Sequence, residues 1–250
     1  MSFVGSLDWA ETTRGRLRIR DRWRLVAQAL AIRLQRHFAS EGEANLAAKL
    51  DVNAIRWSDS PAASRAFEQC LELSAPYLFN HSARTYLWAA LLAMARGTRH
   101  DEEVLFVAAM LHDIGLTEKA RHEHKDCACF AVKGAFMARD MLRNSGWSTE
   151  RIETVAQAIA LHLNIRVPPA YGPEAVLLHA GAGCDVIGAG IRIISTDARA
   201  WVLARYPRPK FKSNWADFMV REASLHPKTR IAFLFGLGFR DMILRAPFKE

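Results

Sequence analysis

The chain is poor in cysteine: Cys70, Cys127, Cys129 and Cys184 are the four among 250 residues. They are too few and too unevenly placed to form the disulfide framework of a small secreted fold. The start, Met1 to Asp8, lacks a basic stretch followed by an apolar run. No secretory signal is therefore expected, and a cytoplasmic location is. Long apolar runs are missing except at 175–194, and that stretch contains His179, Asp185 and Arg192. An acid near mid-span costs roughly 2.5–3.5 kcal/mol on insertion. The segment reads instead as buried core carrying a functional acid, and no membrane partner is expected. Alternating β-branched runs are scarce, which argues against sheets. Zinc-finger spacing, a Gly-rich phosphate loop, internal repeats and low-complexity tracts are absent.

What is present is ordinary for a globular protein: 50% hydrophobic and 24% charged residues, in a chain long enough to bury a real core. The formal net charge is +8. Much of the excess sits in Arg14, Arg16, Arg18, Arg20, Arg22 and Arg24, with Asp21 the one acid among them. No RNA-type interleaving of aromatics accompanies them, so they read as a solvated basic face and no nucleic-acid partner is expected. Helix signals recur along the chain. Trp23, Val26, Leu30 and Leu34 have helical spacing within 21–38, and 41–60 reads as a looser connection ending at Ser60-Pro61. Helices are predicted over 62–73, over 81–95 with Asn80 as N-cap and Gly97 as stop, and over 101–115. A polar loop at 116–128 follows. Further helices are predicted over 130–145, 149–163 behind Ser148, 173–205 with a break near Gly181-Ala182-Gly183, 214–225 and 229–244. The fold class is all-α: a helical bundle over 61–250, with 1–60 a basic helical extension packed on it.

Four side chains of metal-ligand type stand out on these helices: His81, His112, Asp113 and Asp185. Two imidazoles and two carboxylates suit zinc, iron or manganese and leave positions for water and substrate. His162 lies on the apolar stripe of Ile152, Val155 and Ile159. It reads equally as a proton carrier in a pocket and as a hydrogen-bonded core histidine. The run His122-Glu-His124-Lys-Asp-Cys127-Ala-Cys129 offers zinc-type ligands, but its span is short, and a loop over the pocket is the plainer reading. Lys119, Lys125 and Lys133 would neutralise an anionic substrate or stand solvated.

Asn80-His81-Ser82-Ala83-Arg84, Leu111-His112-Asp113-Ile114-Gly115 and Gly183-Cys184-Asp185 together resemble the HD-domain superfamily of metal-dependent hydrolases. Within it, Phe130 to Ala135 and Ala158 to His162 are similar to the cyanamide hydratase-like branch. Where those hydratases carry an acid after the Phe, this chain has Ala131. The resemblance implies an HD-domain helical bundle and a hydrolase or hydro-lyase. It also implies one divalent transition metal, zinc first with iron or manganese open, held by His81, His112, Asp113 and Asp185. Two-metal relatives need two more histidines; His162 matches one, and Phe130 stands where the other falls, so a single ion is expected. Two activities follow. The first is addition of water to a small nitrile such as cyanamide, giving urea, with His162, Arg84 and Lys133 as catalytic residues. The other is phosphohydrolysis of a nucleotide or other phosphoester, with Arg84 and the lysines of 119–133 on the phosphate. A non-catalytic metal-binding module is the third reading. The partner expected is a small-molecule substrate, and a homo-oligomer is left open.

Overall fold

The computed structural model describes residues 2–38 and 50–249. Most of the connection expected at 41–60 therefore lies outside the described residues. Those residues form thirteen α-helices and no strand, as the sequence predicts. In chain order they are α1 (Leu7–Thr13), α2 (Ile19–Phe38), α3 (Pro61–Leu73), α4 (Pro76–Arg96), α5 (Glu102–Leu111), α6 (Glu118–His122) and α7 (Phe130–Leu142). Then follow α8 (Thr149–Leu161), α9 (Pro173–Ile187), α10 (Thr196–Arg205), α11 (Phe211–Leu225), α12 (Arg230–Gly236) and α13 (Phe239–Leu244). Starts are set by side chains that satisfy the first free amides: Ser60 caps α3, Asp101 caps α5 and Ser148 caps α8. No helix among the described residues is long and apolar enough to cross a membrane.

The short α5, apolar and buried from Val104 to Leu111, is the centre, and α3, α4, α7, α8 and α9 pack around it. The pair α4 and α9 shares the most extensive contact. A Cβ on Gly181 would stand 2.3 Å from the carbonyl oxygen of Thr85, so only glycine permits that approach. This corrects the break expected near Gly181 to Gly183. The helix continues through these residues, and the chain turns instead at Gly188 and Gly190, both at positive φ. Three other expectations change, the first being that the loop expected at 116–128 holds α6. With Pro76 in its first turn, α4 begins before Asn80, whose side-chain amide donates to the Pro207 carbonyl at 3.2 Å rather than capping a helix. The helix expected at 229–244 is two, divided at Gly238, φ 87°.

The basic segment before residue 38 is tied to the bundle. Trp9 of α1 is buried and donates its indole N–H to Asp21 at 3.2 Å. This carboxylate also accepts from the Arg18 amide, which draws Asp21 and Leu25 inward and leaves Trp23, Leu30 and Leu34 exposed. Further on, the Leu17 amide donates to the Lys228 carbonyl, and Asn164 donates to Val4.

Candidate metal centre

His112 ends α5 as its C-cap, and Asp113 leaves the helix at φ −108°, ψ 10°. Neighbouring side chains inside a helix diverge by about 100°; ending the helix here lets both turn to one point. The following turn is pressed against α7. A Cβ on Gly115 would stand 2.0 Å from the Phe130 carbonyl and 2.7 Å from the Gly134 amide, so two glycines meet backbone to backbone. His162 ends α8 in the same way. Each of these two histidines donates its Nδ1–H to the carbonyl three residues back, His112 to Ala109 at 2.8 Å and His162 to Ile159 at 2.7 Å. His81, inside α4, directs its Nδ1 to Asp185 Oδ2 at 2.7 Å. A carbonyl or carboxylate only accepts, so all three rings carry hydrogen on Nδ1 and turn Nε2 inward.

Those inward nitrogens converge with a carboxylate. His81 Nε2 and His112 Nε2 are 3.2 Å apart, and Asp113 Oδ2 lies 3.4 Å from the first and 3.2 Å from the second. All three residues are buried, and they are the one candidate metal-binding group among the described residues. His162 Nε2 is 3.4 Å from Asp113 Oδ1, an oxygen with no hydrogen-bond partner. Lone pairs facing one another in a dry site repel, and a cation among them reverses the sign. The spacing suits one: bonds of about 2.0–2.1 Å place neighbouring tetrahedral ligands about 3.3 Å apart. The site therefore fits a divalent ion with three protein ligands and an open position.

Protonation follows the same field. Burial opposes a charge on His81, but hydrogen bonds to Asp113 and Asp185 hold its pKa above the usual value. Burial also opposes the Asp113 carboxylate, and the imidazoles of His112, His162 and His81 that face it still hold it well below the usual range. For His162 burial prevails over the nearby Asp113 carboxylate and pushes the ring down to about 4, so it is neutral near pH 7.

Asp185 is not in the ligand cluster, contrary to the four-ligand expectation. Its Oδ1 accepts from Arg84 Nε at 2.8 Å, Trp88 Nε1 at 2.9 Å and Arg208 Nη1 at 2.7 Å. Its Oδ2 accepts from Arg84 Nη2 at 3.0 Å and from His81. Five donors occupy the lone pairs a metal would need. Asp185 thus fixes the tautomer and angle of His81 from behind, the arrangement that orients metal-bound imidazoles.

Arg84 is not available to substrate. It is buried, forked onto Asp185, and its Nη1 donates to the carbonyls of Tyr206 and Pro207. Lys133 does not line the cavity at the histidines; its charge bears on Cys127 and Glu222. Lys119 and Lys125 are exposed. The loop at 122–129 gathers no metal group: His124 pairs with Asp140 at 3.2 Å, and Cys129 accepts from Arg230. Burial pushes the Cys127 thiol up to about 11, so it stays protonated.

Sequence reasoning missed the aromatic wall from α11. Phe211 stacks on the His81 ring at 5.4 Å, and Trp215 lies at 4.8 Å. The signal was there in Phe211, Trp215 and Phe218, one stripe at helical spacing. It also missed His179, which donates its Nδ1–H to the His162 carbonyl at 3.0 Å and lines the same cavity of about 720 Å³ as the cluster.

A helical bundle that ends two helices on histidine around one carboxylate defines the class, and residues 78–188 match the HD domain family. The chain carries an HD domain. Its relatives include cyanamide hydratase DDI2 and cyanamide hydratase DDI3 of Saccharomyces cerevisiae. Each is 26% identical to it over 159 residues, covering 62% of this chain and 69% of the relative.

Proposed function

We propose that the chain is a hydratase that adds water to a carbon–nitrogen triple bond, with cyanamide, giving urea, as the reference substrate. The carrying observation is the three-donor cluster with its open position, set in a cavity where, among the described residues, the lining arginines are the exposed Arg33 and Arg96 rather than groups beside the cluster. Similarity to two cyanamide hydratases supports the same reaction. A divalent ion held by His81, His112 and Asp113, with zinc ahead of iron and manganese, would supply Lewis acidity for water at neutral pH. The water oxygen bonds to the cyano carbon, one C–N π bond opens, and the nitrogen takes a proton; tautomerisation then gives urea. His162, neutral and with Nε2 beside Asp113, carries that proton. The Ile159 carbonyl anchors the His162 ring through Nδ1, and Asp185 holds His81 in place.

The phosphoesterase reading needs cations on the substrate, and the arginine expected for it is engaged by Asp185. The test is urea release from cyanamide beside phosphate release from a nucleotide panel, with His112→Ala as the inactive control. Urea release lost in that variant supports the reading; phosphate release dominating the panel overturns it.

A further inference from the structure

The cavity at the metal centre is far larger than the reference substrate. It measures about 720 Å³, whereas three heavy atoms displace about two to three waters at ~30 Å³ each, roughly a tenth of it. It is also long. His81 and Leu92 both line it, and eleven residues of α4 separate them, about 16 Å at the helical rise. Apart from Asn164, its described polar lining falls in two groups. The inner end holds His81, His112, Asp113, His162 and His179, while Arg33 and Arg96 are exposed and stand at the mouth. Asn164, also in the wall, is occupied by Val4 and Arg230. Between the ends the wall is side chains such as Leu163, Val176, Ile187, Met219 and Ile231.

A wall of this kind gives a small polar molecule nothing to bind along most of its length. It rewards an apolar body, about fourfold in affinity for each methylene removed from water. We infer that the substrate carries its reacting group on such a body: an alkyl or aryl nitrile, seated with the nitrile at the three-donor cluster and its hydrocarbon along α4 and α9. The inference rests on the hydratase reading for the reacting group alone. The reaction is R–C≡N plus water to R–C(=O)NH2; the oxygen bonds to carbon and both hydrogens end on nitrogen.

Two measurements on the zinc-loaded full chain test it. Calorimetric binding of unreactive amides, from acetamide to hexanamide, is expected to tighten about fourfold per methylene, and Val176→Trp to flatten that dependence. Hydration of butyronitrile, hexanenitrile and benzonitrile is expected at a kcat/KM at least tenfold above that of cyanamide. Affinity that is flat from acetamide to hexanamide in the unsubstituted chain overturns the inference, even where cyanamide is hydrated. Chain-length-dependent amide binding without hydration of any nitrile supports the apolar seat and overturns the hydratase reading instead.

Discussion

Asp185 stands 2.7 Å behind His81, on the ring nitrogen that faces away from the cluster, and binds it while being clamped by two arginines. Burial alone would raise its pKa; the charges of Arg84 and Arg208 hold it well below the usual range instead. Asp185→Asn should retain one ion per chain with affinity lowered about 10–100-fold, the usual cost of losing an outer partner of a ligating histidine. It should also destabilise by roughly 3–5 kcal/mol, because two buried guanidinium groups lose their counter-charge. Chelator competition and urea unfolding measure the two effects. Complete loss of metal in a folded Asp185→Asn would return Asp185 to the ligand set.

Metal content should be near one ion per chain, lost in His112→Ala and Asp113→Ala. Because the donors come from α4 and from the turn after α5, the ion links elements distant in sequence. At a thousandfold excess over Kd, linkage contributes about 4 kcal/mol. Elemental analysis and melting with and without a chelator check this. Unchanged melting on adding zinc, iron or manganese would sink the assignment.

A second ion should not bind. Phe130, 5.9 Å from His162 between ring centroids, presents a phenyl face and no lone pair. Phe130→His should raise the stoichiometry toward two, whereas two ions in the unsubstituted chain, or magnetic coupling between irons, would show the site to be dinuclear.

Gly115→Ala should be severe for its size. The added methyl meets the Phe130 carbonyl and the Gly134 amide, both backbone, so α7 must move away from the turn carrying Asp113. A loss of at least 1–3 kcal/mol is expected, with metal affinity falling alongside. Gly97→Ala is the contrast: it meets no neighbour and costs only what its left-handed backbone imposes.

In the metal-free chain, His162 should make stability depend on acid. Burial depresses its folded pKa to about 4 from the usual 6.5. Its contribution is therefore complete above about pH 6.5 and declines as pH falls toward 4, on the order of 3 kcal/mol across the window. His162→Gln should flatten unfolding free energy against pH there. An unchanged slope would mean that the ring is not held neutral.

Much of this was legible before any coordinates. His81, His112 and Asp113 could be read as ligands because the ordered motifs that carry them resemble the HD superfamily, and Ser60, Asp101 and Ser148 mark helix starts by their own chemistry. Asp185 was legible as a buried functional acid but not as an outer partner. Ligand and orienting roles differ by which arginines arrive, and Arg208 comes from 23 residues further on. Arg84 looked free for substrate for the same reason. Gly181 was misread because a helical glycine signals a break or a close contact alike, and only the presence of Thr85 decides. The wall from α11 could not be placed, since a stripe of aromatics does not say which helix it covers.

The ties between the two ends of the chain bear on its synthesis. Val4 waits for Asn164, 160 residues later, and Asn164 is itself held by Arg230. At roughly 5–20 residues per second, translation separates Val4 from Asn164 by about 8–30 s. Throughout that interval Leu7 and Trp9 have no α8 to cover them, so the nascent chain carries exposed apolar surface long before its core exists. The segment 78–188, expressed without both flanks, would inherit the complementary problem: Asn164, two residues past His162, would lose both Val4 and Arg230.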